Sequence, residues 1–329
     1  MESITKNRQP ADTLRAMVGA AYGADDVPEG DDFAEELGHG WFNVAYRIRL
    51  RSGRDVVLKI APPPEVSVMT YERGMMRNEL AALALVQEHS AVPVPPVEFA
   101  DTSGRLVAAD WFFMPFVDGD NLGVAQERGA VDPAVAAAYN EQLGAMNREL
   151  NEIAGPHFGP LQGPGFATWR EAFTAMIGDV LDDGERAGVD LGFAYDQLRV
   201  LVAGEAESLD DVVEPRFVEW DLWSTNALVR DGRIVSIIDH ERAFYGDPLI
   251  EAGFTGLDLA SFGSSDDFVR GYGKEPLTDA EARRRRLYTL YLVLIMTIET
   301  RYRGHADTSQ YDWARERLAE VMSAFDRVG

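Results

Sequence analysis

From Phe33 to Ile60 the apolar positions fall on every second residue: Val44, Tyr46, Ile48 and Leu50, then, after the turn pair Ser52-Gly53, Val56, Leu58 and Ile60. A period of two places alternate side chains on opposite faces of a strand, so this stretch predicts an antiparallel hairpin with Lys59 on the face opposite Val56, Leu58 and Ile60. Ahead of it, Leu14, Met17, Val18 and Ala21 form a short helical stripe, and the Gly/Asp/Pro-rich stretch 23–30 reads as a loop. After Pro62-Pro63-Pro64 the spacing becomes four, three and three through Met76, Leu80, Leu83 and Val86, which predicts a helix over about 71–89 with Glu79 beside its apolar stripe. Strands are expected at 105–109 and 111–117, and Asp118-Gly119 breaks the pattern. Beyond residue 130 helices are predicted over 133–150, 169–182, 194–209, 279–302 and 309–328. One β-like island interrupts them: Ala227-Leu228-Val229 and 234–238, joined by the turn Asp231-Gly232.

The expected fold class is therefore α+β in two lobes. A small antiparallel β lobe with one helix spans 1–118, of which 1–30 is the leading helix and loop. A larger, mainly helical lobe spans 119–329.

Composition narrows what such a molecule can do. The 329 residues carry 55 acidic and 31 basic side chains, a formal charge of −24 that opposes binding to nucleic acid phosphates or anionic membranes. With no cysteine, disulfides, thiolate metal sites and a cysteine nucleophile are excluded, and the cytoplasm is the simplest compartment. The longest apolar run, 287–298, falls short of the roughly 20 residues that span a bilayer, and reads as a buried helix. Arg283 to Arg286, flanked by Glu281 and Asp279, reads as the solvated start of that helix. Only three of the basic residues are lysines, Lys6, Lys59 and Lys274, so a lysine inside an apolar strand calls for a reason.

The island holds the candidate chemistry: Asp221, then Asn226 five residues later, then Asp239 at the end of the apolar strand Ile237-Ile238. A carboxylate can orient and deprotonate an attacking hydroxyl. An amide oxygen with a second carboxylate offers hard oxygen ligands for Mg²⁺ on nucleotide phosphates. The other reading makes each of them a turn or cap residue, but Asp239 directly follows the apolar pair Ile237-Ile238, where an unpaired charge is costly.

The run D-x-x-x-x-N followed by an apolar strand ending in Asp resembles the catalytic and metal loops of the aminoglycoside phosphotransferase and choline kinase group, which is similar to the protein kinase fold. The continuation from Asp239 through Glu241, Ala243 and Gly246-Asp247-Pro248 resembles that group's I-D-x-E-x-A-x-x-G-D-P segment. The resemblance covers about 33–303 and implies ATP or GTP as donor, Mg²⁺ as cofactor and a hydroxyl of a small molecule as acceptor. It implies Asp221 as catalytic base, Asn226 and Asp239 as metal ligands, Lys59 on the α- and β-phosphates and Glu79 as the acid that positions Lys59. Gly38-His39-Gly40 matches the loop over the phosphates, and Phe113 to Gly119 resembles the hinge that offers a purine the Pro115 carbonyl and the Val117 N–H. Taken without the resemblance, Lys59 is equally an edge-strand lysine, Glu79 a surface glutamate and 113–117 a core strand.

Glu219 and Trp220 stand where the group usually has histidine and glycine, and Asn147 where another histidine is frequent. This leaves altered loop support as one expectation and a kinase-like nucleotide- or metabolite-binding protein without turnover as another. Trp220 and Trp223 read either as stacking residues or as core. Acids from Asp179 to Glu185 and from Asp258 to Asp267 lie where the group builds its acceptor pocket. An antibiotic acceptor of aminoglycoside, macrolide or nucleoside type and a metabolic acceptor of choline, homoserine or methylthioribose type both fit. No A-P-E-like motif follows Asp239, no G-x-x-x-x-G-K-[ST] run occurs, and the five histidines lack zinc spacing. These absences set aside a protein kinase, a P-loop enzyme and a zinc hydrolase.

Overall fold

The computed structural model describes residues 3–38, 40, 42–305 and 307–326. Its N-terminal part contains α1 (Ala11–Tyr22), β1 (Ala34–Glu36), β2 (Val44–Arg49), β3 (Asp55–Ile60), α2 (Met75–His89), β4 (Phe99–Asp101) and β5 (Trp111–Pro115). The five strands form one antiparallel sheet in the order β1-β2-β3-β5-β4. Strand alternation divides its side chains between two cores. Val44, Tyr46, Ile48, Val56, Leu58 and Ile60 pack with Leu14, Met17 and Val18 of α1, whereas Phe112 packs with Met76 and Leu83 of α2. Lys59 pairs across the ladder with Ala45 and Phe112, which puts it on the α2 side.

The sheet departs from the sequence expectation at one edge. Residues 105–109 form bends, and the edge strand is β4, whose Phe99, Ala100 and Asp101 pair with Phe113, Phe112 and Trp111 of β5. Leu106-Val107-Ala108-Ala109 does not alternate, Leu106 is 39 % exposed, and Phe99 gains a stacked contact with Trp111 at 5.3 Å instead. The helix expected from residue 71 starts at Met75, after a separate 3₁₀ turn at Thr70–Glu72.

The C-terminal part carries β6 (Asp120–Asn121), α3 (Leu122–Glu127), α4 (Pro133–Leu150), β7 (Gly159–Pro160), α5 (Trp169–Arg186) and α6 (Tyr195–Glu205). These are followed by β8 (Arg216–Val218), β9 (Ala227–Arg230), β10 (Arg233–Ile237), β11 (Phe244–Gly246), α7 (Asp266–Tyr272), α8 (Asp279–Arg303) and α9 (Ser309–Asp326). Two three-stranded sheets, β10-β9-β6 and β7-β11-β8, sit among the helices and carry the loops between Val218 and Phe244. The arrangement is the α+β, two-lobed fold expected from the pattern.

Helix α8 is the central beam. Thr278 and Glu281 close a capping box at its start, and 287–298 is buried except for Met296. Of its buried threonines, Thr297 and Thr300 donate back to the Val293 and Thr297 carbonyls at 2.8 Å each, and Thr289 donates to Asp258 at 2.7 Å. No helix among the described residues is long and apolar enough to cross a membrane. Arg284 and Arg285 correct the expected solvated start. Both are buried because acids wait for them: Arg284 Nε meets Asp247 at 2.9 Å and Arg285 Nη2 meets Asp258 at 2.8 Å.

Candidate active site

Lys59 and Glu79 are brought together by neighbouring elements, β3 and the first turns of α2. The Lys59 ammonium donates to both Glu79 oxygens, at 2.8 and 2.7 Å, to Asp239 Oδ1, and lies 3.5 Å from Glu241 Oε2. Lys59 is 8 % and Glu79 1 % exposed. Burial alone would lower the lysine pKa, but Asp239, Glu79 and Glu241 more than offset it and hold Lys59 charged. The acids divide accordingly. Burial raises Glu79 and Glu241, whereas the adjacent ammonium wins at Asp239 and lowers it.

Glu79, Asp239 and Glu241 each present an oxygen within 4.8 Å of the others, a hard, anionic donor set of the kind that suits a divalent cation. Asn78 latches α2 to this loop, donating its Nδ2 to the carbonyls of Glu241 at 2.9 Å and Ala243 at 2.7 Å.

The loop between β8 and β9 presents Asp221, and its shape is held from beneath. Trp220 adopts φ 66° and Asp239 φ 72°, both left-handed and costly for residues with a Cβ. Glu251 stabilises the first of these: its fully buried carboxylate accepts the Trp220 N–H at 2.8 Å and the Leu222 and Ala252 N–H groups at 3.0 Å each.

Asn226 donates its Nδ2 to the Asp221 carbonyl at 2.8 Å, and its own carbonyl accepts the Ile238 N–H at 2.9 Å. Since Ala227 pairs with Ile237, the ends of the β9–β10 hairpin lie side by side, with Asn226 preceding one strand and Asp239 following the other. The Asn226 amide oxygen and the Asp239 carboxylate are the donor types expected of a Mg²⁺ site.

Arg242 closes the opposite side of Asp221, at 3.9 Å, reaches Glu299 at 3.4 Å, and lies over the rings of Tyr71 and Trp220 at 5.5 and 5.3 Å. Burial raises the Asp221 carboxyl, and Arg242 pulls it down only in part. Glu219, in the position where histidine was expected, faces His240 Nδ1 at 2.8 Å with both side chains buried. Burial lowers that imidazole, but Glu219 outweighs it and the net shift is upward.

Of the remaining sequence candidates, Gly38 lies in a turn just after β1, Gly40 lies beside Lys6 and Asn43, and His39 falls outside the described residues. Pro115 ends β5 opposite Val56, and Val117 follows two residues later in irregular chain, both half-buried.

Trp220 is core, packed on Tyr291 at 5.3 Å, whereas Trp223 is half-buried and stacks on Phe262 at 5.9 Å. Two of the acids assigned to the acceptor side have structural partners instead: Asp183 accepts the Thr70 N–H at 2.6 Å, and Asp258 pairs with Arg285. Sequence reasoning missed Arg242, Glu251 and the Glu219–His240 pair. Glu241 and Arg242 stood inside the matched motif, but nothing in the sequence tied Glu251 to a loop thirty residues upstream.

The model of the phosphotransferase enzyme family matches residues 34–288, a stretch that contains Lys59, Glu79, Asp221, Asn226 and Asp239. The chain belongs to this family. Its solved structural relatives carry the same fold. Aminoglycoside phosphotransferase APH(4)-Ia, in a ternary complex with ADP and hygromycin B, is 20% identical with a TM-score of 0.64, covering 94% of this chain and 98% of that one. A fructosamine-3-kinase-like protein from Thermobifida fusca YX-ER1 is 19% identical with a TM-score of 0.66, covering 94% and 98%. The GDP complex of an aminoglycoside 2′-phosphotransferase-IIIa is 18% identical with a TM-score of 0.61, covering 96% and 98%. No curated protein matches the chain in sequence.

Proposed function

We propose that this member of the phosphotransferase enzyme family moves the γ-phosphate of ATP or GTP to a hydroxyl of a small molecule, with Mg²⁺, in the cytoplasm. The observation that carries the reading is the convergence on one ammonium: Lys59 is held by Glu79 from the N-terminal sheet lobe and by Asp239 from the loop beside Asp221 and Asn226.

In this reading Lys59 grips the α- and β-phosphates, kept charged and aimed by Glu79, while 38–40 covers the phosphates and 115–117 borders the purine. Asn226 and Asp239 would hold Mg²⁺, whose charge would neutralise that of the phosphates. Asp221 orients the acceptor hydroxyl and takes its proton as the new oxygen–phosphorus bond forms and the diphosphate leaves with the electrons of the broken bond. Burial raises the base, and Arg242 acts against that shift by favouring the carboxylate. Most of the rate enhancement comes from positioning and fixed charge.

The acceptor is sought among aminoglycosides, macrolides, nucleoside antibiotics, fructosamines and small amino alcohols. The protein is incubated with Mg²⁺, ATP or GTP, and this panel, and acceptor masses are read for one added phosphoryl group. A shifted acceptor supports transfer. Nucleotide binding without any transfer or cleavage across the panel turns the reading to a binding protein.

A further inference from the structure

Lys6 is one of the three lysines, and the functional assignment leaves it unused. It reaches Asn43, beside the Lys59 cluster, on an N-terminal segment that ties the lobes together. At one end the Ile4 N–H donates to the Arg303 carbonyl, at the end of α8, at 3.5 Å. At the other, Asn7 donates to the Ala61 carbonyl at 3.0 Å, just past β3, and the Gln9 N–H to the Tyr46 hydroxyl at 3.2 Å.

Between these anchors Thr5 and Lys6 are buried, Lys6 being 8 % exposed, an unusual state for a lysine so near the start of a chain. Its ammonium donates to the Asn43 carbonyl at 2.7 Å, and among the described residues no carboxylate lies within ion-pair distance of it. It also lies 3.6 Å from where a Cβ on Gly40 would be, so it sits directly against the glycine turn. Asn43 in turn donates its side-chain amide to Glu241, whose carboxylate is 3.5 Å from Lys59. Two residues, Asn43 and Glu241, therefore link the two ammonium groups.

Among the described residues this buried ammonium has one neutral acceptor within hydrogen-bond reach and two donors left, and the acids that act on its charge, Glu36 first and then Asp239, stand beyond ion-pair distance, an arrangement completed by an anion. Lys59 differs: Glu79 and Asp239 already neutralise it.

We propose that Lys6 is a second phosphate-binding cation of the nucleotide site, delivered by the N-terminal segment to the backbone at Gly40 and Asn43 and contacting the distal phosphates of a nucleoside triphosphate. The inference rests on the phosphotransferase reading. It also gives the buried segment a task, since its contacts with Arg303, Ala61 and Tyr46 fix where the ammonium points. Binding of a triphosphate should depend on Lys6, and binding of a monophosphate should not.

Calorimetric titrations with Mg-ATP, ADP and AMP separate the possibilities in wild type, Lys6→Met and Lys6→Gln, the last keeping a donor toward the Asn43 carbonyl. A charge-assisted hydrogen bond predicts that both variants weaken ATP about tenfold or more while AMP stays within about twofold. Lys6→Arg, which keeps the charge, stays close to wild type for all three. If ATP affinity is unchanged in Lys6→Gln, or if ATP and AMP fall together, Lys6 has only a structural role and the proposal fails while the nucleotide site stands. If wild-type protein binds none of the three, the nucleotide reading fails and this inference with it.

Discussion

Replacing Lys59 with methionine tests the electrostatic logic of the cleft most directly. The side chain that remains fills most of the same space, but the ammonium that faced Glu79, Asp239 and Glu241 is gone. Glu79 is 1 % exposed and has no other cationic partner among the described residues. Removing one member of a buried ion pair costs about 3–5 kcal/mol, because the stranded charge keeps its desolvation penalty.

Here three carboxylates are stranded together, and their mutual repulsion drives proton uptake. The sign follows from the acids. Glu79 and Glu241 already lie above the ordinary value of 4.5 with Lys59 present, and its loss raises them further. An acid raised in the folded state is no burden below its unfolded pKa and destabilises as pH rises through the folded one. Lys59→Met is therefore expected to lose about 3–5 kcal/mol at pH 8 and clearly less at pH 5.5, measured by urea unfolding at both. Lys59→Met/Glu79→Leu should recover a large part of the loss at pH 8, since it removes the most deeply buried charge. A loss under about 1 kcal/mol at pH 8, or a larger loss at pH 5.5 than at pH 8, would refute the reasoning.

Three further outcomes follow from the same geometry. Asp221→Ala should abolish phosphoryl transfer and leave nucleotide affinity within about twofold in a binding titration, because the proposed function puts Asp221 on the acceptor side as base; near-normal transfer would remove Asp221 from that role. Arg242→Leu removes a cation 3.9 Å from a carboxyl that burial already raises, so the acidic limb of the kcat–pH profile should move to higher pH, and an unmoved limb would detach Arg242 from the base. Glu219 raises His240 above 6.5, so the pair stabilises fully below that value and progressively less as pH rises through the raised pKa; the stability gap between wild type and Glu219→Gln should narrow along that path, and a gap that widens with pH contradicts the pairing.

The parts of the site legible in the sequence were those where local chemistry is unusual enough to mark itself. Lys59 stood out as a charge inside an alternating apolar strand, and Asp239 as an acid closing an apolar run. Both turn out to meet each other across the cleft. The alternation at Val56, Leu58 and Ile60 also fixed which face Lys59 would use. What stayed hidden depends on contacts between distant segments. Glu251 is an ordinary acid in sequence, and only folding places it under the Trp220 N–H. Arg284 and Arg285 looked solvated because the acids that neutralise them, Asp247 and Asp258, come from a different stretch of chain. The edge strand was misplaced for a similar reason: Phe99 is chosen by its stacking partner Trp111, a tertiary preference that local pattern does not encode.

The same contacts bear on how nucleotide and metal enter. As folded, Asp239 is committed to Lys59, so a divalent cation arriving alone competes with an ammonium already in place for the same carboxylate. A nucleotide arriving alone faces Glu79, Asp239 and Glu241, three acids against one lysine within contact, and its phosphates add to the surplus. Under the proposed function, the two arriving together would leave no charge bare, since phosphate oxygens would take Lys59 and the metal would take Asp239. The Lys59–Asp239 pair links the two lobes, and under the proposed function its exchange would make metal and nucleotide binding mutually reinforcing. By linkage, the gain in nucleotide affinity on adding Mg²⁺ must equal the gain in Mg²⁺ affinity on adding nucleotide. Lys59→Met should shrink that coupling from both sides by the same factor.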